Sequence, residues 1–384
     1  MIYFDNAATT GKKPTSVISA VNNALIKYSA NPGRSGHTLS VSAAEAVYGV
    51  RQKISDFFGA KGADRVCFTL NCTHSINCVI KGVLKRGDRI LISSLEHNAV
   101  MRPAVKTGTG IDVAEVSLYD DEKTLKEFEN KIKPNTRLVF CTAASNVLGK
   151  TLPIKRIGEL CRRKGLLFGV DAAQTAGVFP IDMNEMNIDY LCIAPHKGLY
   201  APMGVGILIC NKDIEGTIIE GGTGTNSVEF IQPSSIPEKL ESGTVNVPAI
   251  MGIGAGIDFL KSKGIKRLYE HEITLINELY NGLRKNPNII LYTPDPKKNG
   301  YAPVLSLNIK GFDSNEVAKF LSDSGFAVRG GLHCAPTAHK AIGTLETGTV
   351  RVSVGYFNTL DEIRRLIQLL NGEKMLKKVK KSIE

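Results

Sequence analysis

The sequence predicts an α/β protein: a large domain with a mostly parallel seven-stranded sheet covered by helices, followed by a smaller α+β domain. Short β-branched apolar runs alternate with longer amphipathic stretches over residues 65–210, a pattern typical of βα units whose strands pair in parallel. A segment rich in Gly, Thr and Ser follows at 216–246, and a second, smaller set of strands and helices occupies residues 304–370.

Composition excludes several classes of protein. The 384 residues carry a formal net charge of +11, and 43% of them are hydrophobic and 22% charged, which is an ordinary globular composition. Intrinsic disorder and small disulfide-stapled scaffolds are excluded. No apolar window reaches the ~18 residues of a membrane span, and Met1 to Asp5 lack the features of a signal peptide. We therefore expect a cytoplasmic protein without a membrane partner.

The first half of the chain reads as alternating elements. A helix over 14–28 precedes any sheet strand, so we expect residues 1–14 to pack beside the small domain. Strands are predicted at 65–70, 89–93, 113–118, 137–142, 166–170, 190–193 and 205–210. Helices are predicted at 73–85, 124–132 and 153–164, the last ending at Gly165 as a C-cap.

The second half begins with the 216–246 segment, which has no long apolar run and reads as a functional loop region. Helices at 247–263 and 267–285, strands at 304–309 and 350–354, and helices at 314–324 and 360–370 follow. The prediction is a large domain over 15–255 and a small domain built from 1–14 and 256–384. A lysine-rich run ends the chain (Lys374, Lys377, Lys378, Lys380 and Lys381) and reads as a solvated helix end, with a nucleic-acid or acidic-protein contact as the minor alternative.

Two glycine-rich segments resemble nucleotide motifs but lack their context. Residues 252–256 lie inside an apolar helical stretch with no preceding strand, so close helix packing explains them better. Residues 221–225 are not followed by Gly-Lys-Ser/Thr, and we expect them near a dimer interface.

The eight cysteines contain no C-x-x-C pair and no zinc-ligand spacing, so they read as reduced thiols. Seven of them lie in or beside apolar runs. Cys334 instead lies in a loop sequence flanked by Arg329 and His339, and cationic or protonatable neighbours favour the reactive thiolate. From the residues alone, a catalytic thiol and a plain loop cysteine are both open.

Two polar residues follow neighbouring predicted strands. Asp171 comes directly after one apolar strand, and Lys197 follows the next, in the sequence Ala194 to Gly198. This edge of an open α/β sheet is where ligands bind. Lys197 is either a solvated surface lysine or an imine-forming one. The nearby acid favours the second interpretation, because pyridoxal phosphate requires both a Schiff-base lysine and a carboxylate at its ring nitrogen.

Seven segments, taken in order, resemble one family from end to end. They are YFDNAATT at 3–10, LEHN at 95–98, SNVLG at 145–149, VDAAQ at 170–174, HK at 196–197, ESGT at 241–244 and RGGLHCA at 329–335. The chain is similar to cysteine desulfurases, which are fold-type I pyridoxal-phosphate enzymes of the class V aminotransferase group. Each segment is weak evidence alone, but their order and spacing are specific.

The resemblance implies pyridoxal 5'-phosphate as cofactor and assigns residues to it. Lys197 would form the Schiff base and Asp171 would pair with the protonated pyridine nitrogen. His97 would stack on the ring, although a histidine closing a helix N-terminus looks the same in sequence. Gln174 would donate to the ring oxygen, with a plain polar helix-start residue as the alternative.

For the cofactor phosphate, the resemblance implies Cys72 and Thr73 at a helix N-terminus, together with His196. Thr244 would come from the neighbouring subunit, which implies a homodimer. Residue 194 is Ala where related desulfurases carry a hydroxyl, and one missing neutral hydrogen bond costs roughly 0.5–1.5 kcal/mol. We expect weaker cofactor binding with unchanged chemistry.

On the substrate side, Asn146 and Arg351 match the positions that bind the carboxylate of L-cysteine; an arginine on the solvent face of a strand is the alternative for Arg351. Cys334 would accept the sulfur as a persulfide, leaving L-alanine. The short span from Arg329 to Arg351 is more similar to the short-loop, selenocysteine lyase-like group, which implies a dedicated sulfur-acceptor protein.

Two classes of alternative remain. Selenocysteine lyase, cysteine sulfinate desulfinase, or a lyase that does not use Cys334 would share the scaffold. A basic binding module without turnover rests only on the net charge of +11 and the lysine-rich end, which influence encounter rather than function. Nucleic acid is therefore not an expected partner.

Overall fold

The computed structural model describes residues 1–33, 35–225, 227–296, 300–372 and 375–383, without the side chains of Lys378 and residues 381–383. Of the lysine-rich run, Lys374 therefore lies outside the described residues. None of the helices in these ranges is long and apolar enough to cross a membrane.

Helices and strands alternate through most of the chain. The strands are β1 Ile2–Tyr3, β2 Val66–Thr69, β3 Arg89–Ser93, β4 Gly110–Ala114, β5 Thr136–Thr142, β6 Leu167–Asp171, β7 Tyr190–Ile193, β8 Gly206–Cys210, β9 Ile289–Leu291, β10 Val304–Ile309, β11 Phe326–Ala327 and β12 Val350–Ser353. The helices are α1 Thr15–Lys27, α2 Thr38–Phe58, α3 Cys72–Val83, α4 Asn98–Lys106, α5 Asp121–Lys131, α6 Ile154–Lys164, α7 Val247–Lys263, α8 Ile265–Leu283, α9 Ser314–Asp323, α10 Pro336–Ala341, α11 Leu360–Leu370 and α12 Met375–Ile383.

Seven strands form one large sheet in the order β2-β8-β7-β6-β5-β3-β4. All neighbours pair in parallel except β8, which runs antiparallel to both β2 and β7. Strands β7 and β8 are buried along their whole length, as expected when helices cover both faces of a sheet. The predicted fold class, a mostly parallel seven-stranded sheet, is confirmed.

The predicted strand at 113–118 is wrong by several residues, since β4 spans Gly110–Ala114. Its register with β3 is set from Gly110, opposite Arg89, to Ala114, opposite Ser93. Beyond Ala114 the chain leaves the ladder, because the amide of Val116 donates to the Ser94 hydroxyl at 3.0 Å instead of to a strand carbonyl.

Helix α2 has no counterpart among the predicted elements. It is 21 residues long, begins after His37, whose ring accepts from the Ser40 amide, and ends at the left-handed Gly59. Helices α1 and α2 both pack against α7. Hydrophobic residues at several positions, including Val47 and Ile54, are buried in this contact region and join the core of the large sheet.

The C-terminal part has its own antiparallel sheet in the order β12-β10-β9. The N-terminal strand β1 pairs in parallel with β11, and Phe4 belongs to the same core cluster as Leu305 and Ile363. The short strands β9 and β11 were not among the predicted elements. Residue 255, the predicted domain boundary, lies within α7, and the division of the chain into two domains stays a prediction.

The glycines of α7 serve close packing. A Cβ at Gly256 would lie 1.9 Å from the carbonyl oxygen of Leu199, and one at Gly252 would lie 2.7 Å from the Pro202 ring. Both Leu199 and Pro202 belong to the segment that follows Lys197. The glycine repeat at 252–256 therefore brings α7 against the turn that carries this lysine.

Candidate active site

Asp171 and Lys197 lie at the carboxyl ends of neighbouring parallel strands. Asp171 is the last residue of β6, and Lys197 follows β7 in a tight turn, where its amide donates to the Ala194 carbonyl at 3.1 Å. Burial lowers the pKa of Lys197, while the Asp171 carboxylate acts in the opposite direction. Desolvation thus favours the neutral amine, which is the nucleophilic form.

The first turn of α3 meets Asp171. The Asp171 carboxylate accepts from the Ala173 amide at 2.9 Å, and the Cys72 thiol donates to the same oxygen across 3.8 Å. Burial and the neighbouring carboxylate raise the pKa of Cys72 well above its usual value, so this thiol stays protonated. Thr73 is exposed at the start of α3, where the free helix amides favour anions.

His97 begins α4 and has a defined tautomer. Its Nδ1 accepts from the Ala99 amide at 3.0 Å, which places the proton of the neutral ring on Nε2. Desolvation lowers the pKa of His97, opposed by the charge of Asp171. The structure therefore shows His97 capping the N-terminus of α4, which was the alternative role. Its stacking on the cofactor ring stays a prediction.

His196 presents an unpaired ring nitrogen. Its Nδ1 is buried and has no hydrogen-bond partner among the described residues. Burial, with the neighbouring cations Lys197 and Lys13, lowers the pKa of His196 to about 4. A neutral imidazole with a free, buried nitrogen is suited to an incoming polar ligand.

Gln174 and Lys197 line a small cavity of about 40 Å³. The Gln174 amide nitrogen donates to the Ala7 carbonyl at 3.1 Å, so this side chain already bonds to the N-terminal segment. Its predicted bond to a cofactor oxygen stays a prediction.

Arg351 and Asn146 lie together with the loop that carries Cys334. Arg351, on β12, is 1% exposed, so the alternative of an arginine on a solvent face is wrong. One guanidinium nitrogen, Nη1, donates to the Asn146 carbonyl at 3.1 Å, and Nη2 lies 2.8 Å from Asp5 Oδ1. The Asn146 side-chain amide in turn donates to the His333 carbonyl at 2.8 Å.

The Cys334 thiol is exposed, and Arg329 Nη2 lies 3.9 Å from its sulfur. His333 and Cys334 both adopt left-handed conformations, with φ of 48° and 58°, which non-glycine residues rarely do without supporting contacts. One such contact is the Asn98 amide of α4, which donates to the Cys334 carbonyl at 2.7 Å. The loop is therefore held against the N-terminus of α4.

His339, the second flanking residue considered in the sequence, does not serve as a cation for Cys334. It is fully buried in α10, and its Nδ1 lies 2.8 Å from the Thr344 hydroxyl. Burial lowers the pKa of His339, so the ring is neutral. Of the two neighbours, Arg329 alone carries a charge at the thiol.

Comparison with known proteins agrees with this architecture. Residues 2–366 match the family described as aminotransferase class-V. The chain belongs to this family. A probable cysteine desulfurase of Methanothermobacter thermautotrophicus is 34% identical over 381 residues, which cover 96% of this chain and 94% of that protein.

Solved structures of similar proteins extend the comparison. An apo cysteine desulfurase from Thermococcus onnurineus gives a TM-score of 0.85 at 32% identity, covering 98% of this chain and 94% of that one. The cysteine desulfurase CsdA of Escherichia coli gives 0.83 at 25% identity, covering 99% and 94%. The resemblance stated from the sequence motifs is confirmed.

In this class-V family member, Thr244 lies on an exposed segment before α7. Its hydroxyl accepts a hydrogen bond from the Asn31 side-chain amide at 3.2 Å. The segment is anchored at Glu241, which forms a buried ion pair with Arg51 and accepts from the Phe68 amide. A contribution of Thr244 to a partner's site stays a prediction, as does the effect of Ala194.

The segment 3–10 is one of the seven matched motifs, but its sequence predicts no role for its residues. The structure places the Thr10 amide 3.2 Å and Lys13 Nζ 2.9 Å from the His196 carbonyl, and the Thr10 hydroxyl 2.5 Å from the Lys197 carbonyl. This N-terminal segment thus holds the backbone of the lysine turn. The sequence holds no local signal for these contacts, because the Thr10–Lys197 bond joins residues 187 positions apart.

Proposed function

We propose that the protein is a pyridoxal 5'-phosphate-dependent cysteine desulfurase that converts L-cysteine to L-alanine and receives the sulfur as a persulfide on Cys334. The observation that carries the proposal is that Cys334 is the exposed cysteine among eight, beside the Arg329 guanidinium. The full-length similarity to proteins named cysteine desulfurases supports it.

The residues at the ends of β6 and β7 fit this cofactor. Lys197 would attach its aldehyde carbon, Asp171 would hold a proton on the pyridine nitrogen, and His97 and Gln174 would contact the ring. The unpaired His196 Nδ1 and the free amides at the start of α3 suit its phosphate. When bound, pyridoxal phosphate supplies an electron sink that stabilises negative charge at the substrate Cα.

Side chains of the protein carry out the other steps of the reaction. Arg351 and Asn146 orient the substrate carboxylate. The amine of Lys197, once the substrate amine has replaced it at the aldehyde carbon, removes the Cα proton. The Cys334 thiolate then attacks the substrate sulfur, so that an S–S bond forms as the Cβ–S bond breaks. The electron pair of the broken bond stays with carbon, which is protonated to give alanine. The Arg329 guanidinium lies 3.9 Å from the Cys334 sulfur before the attack.

The test is a measurement of persulfide and alanine in Cys334→Ala. After addition of L-cysteine, mass spectrometry should find one additional sulfur atom on the Cys334 peptide of the parent protein. The variant should gain none and lose alanine formation more than ~100-fold while retaining cofactor absorbance. Cys161→Ala, which removes a buried thiol of α6, is the control. Undiminished turnover by Cys334→Ala would exclude the proposed role.

The same assay separates the alternatives on this scaffold. Alanine formation is compared with L-cysteine, L-selenocysteine and cysteine sulfinate as substrates, each with and without Cys334. When Cys334 is removed, a desulfurase should lose alanine formation from L-cysteine and keep alanine formation from L-selenocysteine and cysteine sulfinate. Elimination of selenium or sulfinate does not require the attacking thiolate. Salt-sensitive RNA binding by a protein that takes up no cofactor would instead favour the basic module.

Two partners belong to the proposal. A homodimer would place Thr244 at the neighbouring site, and the apolar side chains of Val228, Phe230 and Ile231 are exposed in the single chain. A sulfur-acceptor protein would have to approach Cys334, because its loop is fastened to Asn98 and Asn146 and cannot carry the sulfur far.

A further inference from the structure

The carboxylate-binding arginine already has a carboxylate bound to it within the chain. Asp5 Oδ1 lies 2.8 Å from Arg351 Nη2, and the two residues are 346 positions apart in the sequence. The Arg351 side chain is 1% exposed, whereas that of Asp5 is 21% exposed. Asp5 therefore stands between the guanidinium and solvent.

A substrate carboxylate needs two parallel donors for a bidentate contact. Arg351 Nη1 is engaged by the Asn146 carbonyl, Nη2 is engaged by Asp5, and Nε has no partner among the described residues. The Asn146 carbonyl is part of the backbone between buried neighbours, so it cannot leave without moving the chain. The Asp5 carboxylate can leave by a side-chain rotation.

The backbone around Asp5 is held independently of the ion pair. The amide of Ala7 donates to the Ser353 hydroxyl at 2.8 Å, and the Tyr3 hydroxyl lies 3.1 Å from the Asp5 carbonyl. Further along, the Thr10 hydroxyl donates to the Lys197 carbonyl. Exchange of the Asp5 side chain for another carboxylate therefore leaves the segment, and the lysine turn it supports, in place.

We infer that Asp5 is a specificity-determining residue that competes with the substrate carboxylate for Arg351. This inference rests on the proposed function, in which Arg351 binds that carboxylate. A ligand must bring a carboxylate of its own to replace Asp5, because displacement by a neutral group would leave a buried guanidinium without a counter-charge. Asp5 thus lowers the affinity for carboxylate ligands, and it leaves unchanged the affinity for ligands without a carboxylate, because these do not displace it.

The experiment measures ligand affinity in the cofactor-loaded protein and in Asp5→Asn, which keeps the shape of the side chain and removes its charge. Isothermal titration calorimetry is performed with L-alanine, with propionate and with ethylamine, which has no carboxylate. Asp5→Asn should bind alanine and propionate at least ~3-fold more tightly, because a neutral amide competes less well for a guanidinium. Its affinity for ethylamine should not change.

Two variants serve as controls. Asp258→Asn removes a carboxylate from an exposed ion pair with Lys53 and should leave all three affinities unchanged. Asp5→Ser removes the charge with a different shape and should reproduce the tighter binding if Asp5→Asn folds poorly. A thermal melt establishes that each variant is folded.

Equal or weaker binding of alanine and propionate by folded Asp5→Asn would overturn the inference, since Asp5 would then only orient Arg351. Absence of carboxylate binding in both the parent protein and the variant would overturn it as well. Tighter carboxylate binding in Asp5→Asn by a protein that forms no alanine from cysteine would support the role of Asp5 and count against the desulfurase proposal alone.

Discussion

Two lysines with low exposure show how environment decides chemical role. Lys150 is 4% exposed, and its side-chain nitrogen lies 2.7 Å from Asp121 Oδ1, with which it forms an ion pair. Lys197 has its pKa lowered by burial. The first lysine is therefore engaged in an ion pair, while the second is available as a nucleophile.

For Lys197→Ala we expect loss of covalent cofactor attachment, because the variant lacks the amine that follows β7. The measurement is borohydride reduction of the cofactor-loaded protein followed by peptide mass spectrometry. Lys150→Ala should still be labelled at Lys197. Labelling of a different lysine in Lys197→Ala would show that the assignment of the attachment site is wrong.

At this scale the sequence identified residues that follow strand ends or sit in a dense motif, such as Asp171, Lys197 and Cys334. It missed Asp5 as a partner of Arg351. A pairing across 346 positions leaves no periodic or local signal, because it depends on β1, β11 and β12 being brought together by packing.

Among the elements, α7 shows most directly how a helix supports the site. Its Gly256 faces the Leu199 carbonyl, two residues after Lys197, with room for no side chain. Gly49 in α2 is the opposite case, since a Cβ there would meet no atom within 4 Å. The same residue type is thus required in one helix and merely tolerated in the other.

Gly256→Ala should lower the free energy of unfolding by about 1–3 kcal/mol, because the added methyl overpacks the contact between α7 and the lysine turn. Gly49→Ala should raise it by about 0.5–1 kcal/mol through better helix propensity. Urea denaturation of both variants measures the difference. Equal stability of the two would mean that α7 does not pack this closely.

Helix α8 carries a buried acid that forms no ion pair with the described residues. Glu272 is 6% exposed and accepts a hydrogen bond from the Tyr356 amide. Burial raises the pKa of Glu272 to about 8 from an ordinary 4.5. The folded protein therefore binds a proton here that the unfolded chain releases between these pH values.

This difference makes stability depend on pH in a defined direction. Between pH 4.5 and pH 8 the folded state holds more protons at Glu272 than the unfolded state, so its contribution to stability falls as pH rises. The slope is at most about 1.4 kcal/mol per pH unit. Above pH 8 both states are ionised and the contribution becomes constant.

Glu272→Gln should remove this loss, so its stability relative to the parent protein should increase by at least ~1 kcal/mol between pH 5 and pH 8. Denaturant titrations across that range measure the difference. Glu159→Gln, on the exposed face of α6, should show no such trend. A parallel pH dependence for Glu272→Gln and the parent protein would argue against a neutral Glu272.

For the whole molecule, the exposed apolar residues of the 216–246 segment are the main unexplained feature of a single chain. Val228 is 92% and Ile231 80% exposed, and Phe230 is fully exposed. Clusters of this kind on soluble proteins mark association surfaces. They support the proposed homodimer, in which this segment would carry Thr244 toward the partner.

We therefore expect a dimer by size-exclusion chromatography with light scattering. Phe230→Ser should weaken it at least ~10-fold, because buried aromatic residues contribute strongly to interfaces. Tyr119→Ser replaces another exposed aromatic residue, which lies just before α5, and should leave the dimer intact. A parent protein that remains monomeric at all concentrations would exclude the homodimer.

The sequence by itself determined the alternation of apolar strands and amphipathic helices, and it placed Asp171 and Lys197 beyond neighbouring strands. These features are local, because a short stretch of sequence is enough to determine the hydrophobic periodicity and the end of a strand. Only the tertiary structure decided that α2 packs on α7, that the Cys334 loop is fastened to α4, and that Asp5 covers Arg351. Such contacts join segments far apart in the chain, so they arise from the packing of whole elements and not from any single stretch of sequence.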